Sequence, residues 1–198
     1  LTGKMVKDLR AEFGDGILLI AGNICTLAGA DYLVGCGADV IKVGIGPGSV
    51  CTTRIKTGFG VPQLTAIFDC ARCSKPIIAD GGIKNTGDFC KAIAAGADAV
   101  MMGSILAGAD ESNGEIEIES TDAGWEWLDK KHTSGRNKWK DVPTGFKVYR
   151  GMASNEARQD FGIAEQTGYN EHIAEGVSGR VECSGPVADT LDRYRKAL

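Results

Sequence analysis

Four short apolar runs, each closed by a glycine-rich break and separated from the next by an amphipathic stretch, limit this chain to few folds. The runs are Ile17-Leu18-Leu19-Ile20, Val40-Ile41-Lys42-Val43, Pro76-Ile77-Ile78-Ala79 and Ala99-Val100-Met101-Met102. Each is too short for a helix and unbroken by polar alternation, the pattern of a strand covered on both faces. Helical periodicity fills the intervals. Residues 4–13 place Met5, Val6, Leu9 and Phe13 on one side and stop at Gly14 and Gly16. Thr26 can cap a helix through Tyr32-Leu33-Val34 that closes at Gly35-Cys36-Gly37. Pro62 suits the first turn of a helix carrying Leu64, Ile67, Phe68 and Ala71, and residues 86–95 form another that stops at Gly96. Strand and helix in regular alternation predict a parallel sheet with helical crossovers.

The chemistry-bearing residues gather where the runs end: Asn23, the loop around Cys51, Asp80-Gly81-Gly82 and Gly103-Ser104. Both (β/α)8 barrels and doubly wound sheets build sites at the carboxyl ends of their strands, so this clustering leaves the two open. Four βα units are half of a (β/α)8 barrel, and half a barrel cannot close its sheet. The expectation is a fragment whose first four strands are missing: barrel units over residues 1–110, a polar hairpin insertion over 111–150, and a flap segment with a closing helix over 151–198.

The second run leads into GIGPGSVCTTRIKTGFGVPQ, with glycines at 44, 46, 48, 58 and 60 and a single cysteine, Cys51, beside Ser49, Thr52, Thr53 and Arg54. Glycines let backbone N–H groups turn toward an anion. A thiol beside such donors and beside Arg54 should favour the thiolate, the nucleophilic form. The local prediction is a phosphate-anchored substrate presented to a cysteine.

Past residue 107 the composition turns polar, acidic first and then basic. Alternation over Glu115-Ile116-Glu117-Ile118-Glu119 predicts a half-exposed strand, with Phe146-Lys147-Val148-Tyr149 as its hairpin partner. Trp125, Trp127 and Trp139 lie between them, and a local mini-core or subunit contact accounts for them better than ligand stacking. After Ser154 comes a loose segment with Gly162 and Gly168, then Ile173-Ala174-Glu175-Gly176-Val177-Ser178-Gly179, and residues 187–198 read as a closing helix.

A net charge of −4 and a pI near 5.3 argue against general nucleic-acid binding. No apolar run approaches a membrane span of about 20 residues, and the first residues lack a secretory pattern. Seven cysteines form no compact framework, which fits reduced thiols in the cytoplasm. Cys70-Ala71-Arg72-Cys73 spells CxxC, but without a second pair or histidine ligands the reading is two ordinary helix-end cysteines.

Taken singly these features are weak; together, AGNICT, VGIGPGSVCTTR, IIADGG, AVMMGSILAG, YRGMAS and EGVSGRVE resemble the family of IMP dehydrogenases and GMP reductases. The resemblance implies a (β/α)8 TIM barrel, a purine-nucleotide substrate (GMP or IMP), NADPH or NAD as hydride carrier, and a homotetramer. It implies Cys51 as the nucleophile at purine C2. Ser49, Gly82, Gly103, Ser104 and Tyr149 are implied around the phosphate, with Gly81 in the same turn. Asp80 is implied on the ribose hydroxyls, and Gly151, Met152 and Gly176 near the base. Asn23 and His172 are implied on the cofactor side. The carbonyls of Gly46, Gly48 and Cys51 are implied around a monovalent cation, K+ or Na+.

Dehydrogenases of this family activate water with an adjacent Arg-Tyr pair on a mobile flap. The corresponding interval here, residues 155–174, contains Arg158 and Tyr169 but no adjacent pair. Thr53 and Glu175 match the threonine–glutamate pair with which reductases protonate departing ammonia, and Lys56-Thr57-Gly58 is reductase-like. Against this, IIADGGI, GSILAG and EGVSGRV resemble bacterial dehydrogenases, and His172 stands where reductases commonly have arginine. The balance favours GMP reductase, with IMP dehydrogenase as the alternative enzyme. A half barrel standing alone would instead be an inactive remnant or interaction module.

Overall fold

The computed structural model describes residues 1–118, 145–160 and 174–198. After helix α1 (Thr2–Phe13) come strand β1 (Ile20–Ile24), α2 (Leu27–Gly35) and β2 (Val40–Val43). A five-residue helix, α3 (Thr53–Thr57), then precedes α4 (Gln63–Cys70), β3 (Ile77–Asp80), α5 (Thr86–Ala94) and β4 (Ala99–Met101). The four strands form one parallel sheet in the order β1-β2-β3-β4. Neighbours in sequence are neighbours in the sheet. A doubly wound sheet reverses its strand order at a switch point; this one does not, so the order is that of a barrel wall.

The repeat has a local physical basis. Gly37-Ala38-Asp39 and Gly96-Ala97-Asp98 occupy equivalent places, one before β2 and one before β4. Asp39 Oδ2 accepts from Leu19 N at 2.9 Å, and Asp98 Oδ2 accepts from Ile77 N at 2.8 Å. The adjacent alanines are buried, and their amides close the preceding helices on Leu33 O and Ala92 O. Each aspartate therefore fastens the start of its own strand to the strand before it. Arg10 of α1 joins the first of these fastenings, donating to Asp39 Oδ2 at 2.5 Å and to Gly37 O at 2.8 Å.

Burial corrects the expectation of strands covered on both faces. Ala21, Ile41, Val43, Ile77 and Ala79 are buried against the helices with Leu33, Ala66 and Ile67. The alternate residues, Ile20, Val40, Lys42, Ile78 and Asp80, lie on the other face and are only partly covered or exposed. The first strand is also shifted from the expected residues 17–20. Its ladder to β2 begins at Ile20, and Leu18 is 68% exposed, because the 17–19 stretch is held instead by Arg10 and Asp39. Thr26 caps α2 as expected, accepting from Gly29 N, whereas Pro62 stands just before α4 with extended ψ rather than inside its first turn.

A second sheet follows. The short helix α6 (Ser104–Ala107) leads to β5 (Ile116–Ile118), which pairs antiparallel with β6 (Gly145–Arg150). That is the expected hairpin. Beyond α7 (Asn155–Asp160), β7 (Ser178–Glu182) adds a third strand along the other edge of β6, where the sequence reading assigned no element. Across β5, β6 and β7 the buried residue is a lysine, Lys147. Its ammonium donates to Ala109 O at 2.7 Å, Ser112 O at 2.9 Å and Asp110 O at 3.3 Å, gathering the 109–112 turn around one charge.

The closing helix, α8 (Val187–Arg195), returns to the first sheet's layer, where Tyr194 meets Phe89 of α5 edge-to-face at 5.5 Å. Trp125, Trp127 and Trp139 lie outside the described residues.

Candidate active site

The site begins where β2 runs out. Gly44 N donates to Ile24 O at 2.8 Å, and Gln63 of α4 bridges the carboxyl ends of β2 and β3 by donating to Val43 O at 2.9 Å and Asp80 O at 3.3 Å. The loop beyond is held from its far side. Arg54 donates through Nε to Ile45 O at 3.2 Å and through Nη2 to Val61 O at 2.5 Å. The guanidinium expected to favour the Cys51 thiolate is thus committed to loop carbonyls. The sequence pairs the two as neighbours, but α3 begins at Thr53 and carries Arg54 back along the loop.

Cys51 is instead embraced by a distant segment. It pairs with Gly176 as an isolated antiparallel bridge, flanked by Val177 N to Val50 O and Thr52 N to Glu175 O, each at 2.9 Å. These backbone bonds align three side chains. The Cys51 thiol donates to Thr53 Oγ1 at 3.2 Å, and Thr53 Oγ1 donates to Glu175 Oε2 at 2.7 Å. The result is a continuous proton path from sulfur through a hydroxyl to a carboxylate. Gly151 and Gly176 pack directly on one another beside it: a Cβ on Gly151 would lie 3.4 Å from Gly176 Cα. Gly151 N donates to Val177 O, whereas Met152 is 78% exposed.

Next to the cysteine loop lies a cleft of about 160 Å³ lined by Ser49, Asp80, Gly81, Gly82, Gly103, Ser104 and Tyr149, together with Gly48, Val50, Met101 and Arg150. Eight of the residues singled out from the sequence, Gly48 among them, share this cleft. Ser49 and Tyr149, 100 positions apart, form a 2.5 Å hydrogen bond across its mouth. Gly81 and Gly82 have φ of 86° and 79°, a region L side chains rarely adopt, so backbone itself forms that wall. Ligand pockets for small molecules usually exceed about 300 Å³. The cleft among the described residues therefore has room for one end of a nucleotide-sized molecule.

Asp80 is the acidic group lining the cleft. Its Oδ2 takes an ion pair from Lys42 Nζ at 2.9 Å and a hydrogen bond from Asn23 Nδ2 at 3.0 Å. Asn23 also donates to Gly44 O. The residue expected on the cofactor side thus has its amide on Asp80 and on the β2 end. Lys42 received no role in the sequence reading. The available signal was a charge inside an otherwise apolar strand.

His172 and Tyr169 lie outside the described residues, as does the Arg158 side chain. Gly48 O already accepts from Cys51 N at 3.1 Å. The carbonyls of Gly46, Gly48 and Cys51, implied around a monovalent cation, belong to this one loop. Among the described residues no group of three or more His, Cys, Asp or Glu side chains could hold a metal ion. Cys70 is fully buried, and burial pushes its thiol up to about 12, which makes that sulfur a poor nucleophile near neutral pH.

Comparison with known proteins agrees with this geometry. A family model described as the IMP dehydrogenase / GMP reductase domain matches residues 2–125. The chain is 45% identical over 192 residues to inosine-5'-monophosphate dehydrogenase of Halalkalibacterium halodurans, covering 94% of this chain and 35% of the relative. It is 42% identical over 197 residues to GMP reductase of Leishmania donovani, again covering 94% of this chain and 35% of the relative. Among solved structures it resembles a Cys→Ala variant of Trypanosoma brucei GMP reductase in complex with guanosine 5'-monophosphate. The TM-score is 0.78 at 37% identity, over 98% of this chain and 36% of that one. The chain therefore spans about a third of the length of the relatives it matches. A parallel sheet in barrel order, a cysteine loop beside a glycine-walled cleft and a match to more than half its residues place this chain in the IMP dehydrogenase / GMP reductase family.

Proposed function

We propose that this chain is the cysteine-bearing part of a GMP reductase, which converts GMP to IMP and ammonia with NADPH as reductant. The path from Cys51 Sγ to Thr53 Oγ1 to Glu175 Oε2 carries this reading. Cys51 attacks C2 of the purine as its proton passes to Thr53 and Glu175. The C2–N bond then breaks, and the same pair returns one proton to the departing amino group, which leaves as ammonia. Sulfur replaces nitrogen at C2, and the protons balance without an outside donor. When bound, the nicotinamide supplies a hydride to C2; the C2–S bond breaks, and the thiolate recovers a proton from solvent. A poor leaving group needs a positioned donor, and general acid catalysis of this kind contributes about 10²–10⁴-fold.

The cleft serves the other end of the substrate. Ser49, Gly82, Gly103, Ser104 and Tyr149 hold the phosphate, Asp80 takes the ribose hydroxyls, and backbone near Gly151 and Gly176 faces the base. Met152 contributes through its backbone, since its side chain points outward.

IMP dehydrogenase is the second reading, supported by bacterial dehydrogenases of 43–47% identity, against 42% for GMP reductases of Leishmania. The complete protein, assayed with GMP plus NADPH and with IMP plus NAD+, separates the two. GMP-dependent NADPH oxidation is expected; XMP formation without it overturns the reductase assignment. In either enzyme Cys51→Ala should abolish turnover while GMP or IMP still binds, and retained turnover would remove Cys51 as the nucleophile.

A further inference from the structure

We propose that Lys42 is a positioning residue for the sugar of the substrate: with Asn23 it holds one oxygen of Asp80 and leaves the other for a vicinal diol. The inference rests on the reading of Asp80 as the ribose ligand and assigns the residue that makes Asp80 competent for it.

The placement of Lys42 follows from register. In β2, Ile41 and Val43 point into the helix-covered core with no exposure, so the period of two turns Lys42 to the opposite face. Its partner in β3 is Ile78, and Asp80 lies two residues further along the same face. The lysine stem therefore runs up the sheet toward the carboxylate at the strand end. On its other side the partner is Gly22, where a Cβ would stand 2.8 Å from Lys42 Cβ and 2.4 Å from Lys42 O. Only glycine lets β1 approach the lysine this closely. A charge in the middle of an apolar strand is tolerated when it is paired. Here the pair is Asp80, with the two side chains 30% and 25% exposed.

The contacts are one-sided. Lys42 Nζ and Asn23 Nδ2 both reach Oδ2, at 2.9 and 3.0 Å. Among the described residues no donor is recorded on Oδ1. A carboxylate oxygen has two lone-pair sites, which matches two adjacent hydroxyl donors. Fixing Oδ2 from two directions sets the carboxylate plane before substrate arrives, so less ordering remains for the binding step. A lysine serving only as an internal ion pair would not distinguish one sugar from another.

The test uses the full-length protein and compares kcat/KM for GMP with that for 2'-deoxy-GMP, or IMP with 2'-deoxy-IMP if the dehydrogenase assay is the positive one. Lys42→Met, which keeps the stem and removes the charge, should lower kcat/KM for the ribonucleotide about tenfold, the size expected for a hydrogen bond to a charged group. The deoxynucleotide should change little, so the ribose preference collapses toward that of Asp80→Ala. Lys42→Arg should restore much of the preference, and it provides a folded control if Lys42→Met is unstable. Equal losses for both sugars, or an unchanged ribose preference in Lys42→Met, overturn the inference. If Asp80→Ala itself retains the preference, the ribose reading of Asp80 fails and the inference falls with it. If Asp80→Ala loses the preference and Lys42→Met keeps it, only the role of Lys42 is refuted.

Discussion

The parallel sheet buries Ile41, Val43, Ile77 and Ala79 without a polar group among them, while the antiparallel sheet buries Lys147 and exposes most of its apolar side chains. The first is held by area removed from water, about 1.5–3 kcal/mol for each large side chain. The second is held by directed contacts: Lys147 on three carbonyls, Arg180 to Glu117 at 3.1 Å, and Arg180 over the Phe146 ring at 4.8 Å. The site lies between the two. Asp80, Gly82 and Ser104 stand at the ends of the apolar sheet, whereas Tyr149 belongs to the polar one and Glu175 and Gly176 lead into its last strand. The apolar sheet thus sets the floor of the cleft, and the directed contacts bring in its wall.

That division is open to experiment. The largest expected effect lies where the two regions meet. Glu175→Gln should lower turnover by about 10²–10⁴-fold with little change in unfolding free energy. A large loss of stability alongside would mean that the Thr53–Glu175 contact is structural. Next comes the floor. Ile41→Ala should destabilise the whole chain by about 2–5 kcal/mol in a denaturant titration, because the vacated space is enclosed on every side. A loss restricted to one segment would show that the first sheet is less cooperative than its burial implies.

Lys147→Met tests the opposite region. It leaves buried carbonyls without their donor, at about 1–3 kcal/mol. Faster amide exchange should be confined to residues 109–118 and 145–150, with β2 and β3 still protected. The smallest effect is acid sensitivity. The Leu19 amide, and after it Arg10, hold the Asp39 carboxyl below its ordinary value. Its contribution is complete above the unfolded value of about 3.9 and is lost as pH falls through the lower folded value. Asp39→Asn should therefore flatten the acid limb of a stability–pH curve below about pH 4. An unchanged limb would mean that other carboxylates govern acid unfolding.

Legibility from sequence followed range. Thr26 as a cap and β2 over Val40–Val43 are local matters, and local residues decided them. The hairpin of β5 and β6 was readable from alternation. β7 was not, because Ser178-Gly179-Arg180-Val181-Glu182 has one apolar side chain and is a strand only because β6 offers it an edge. The early placement of β1 failed for the converse reason. Ile17-Leu18-Leu19 is apolar enough for a strand, but Arg10 and Asp39 engage its backbone first.

The sequence alone determined the alternation of strand and helix, the residue types available at each strand end, and a nucleophile set in a glycine-rich loop. These depend on periodicity, on backbone freedom and on side-chain chemistry, all properties of a residue and its near neighbours. Tertiary structure decided the rest. It sent Arg54 to the carbonyls of Ile45 and Val61 instead of to the thiol. It made the contact between Thr53 and Glu175, a pair that only the family resemblance had named, across 122 positions, and it brought Lys42 and Asn23 onto one oxygen of Asp80. A hydrogen bond needs its two atoms within about 3 Å, and no pattern along the chain specifies which distant groups the folded backbone will bring that close.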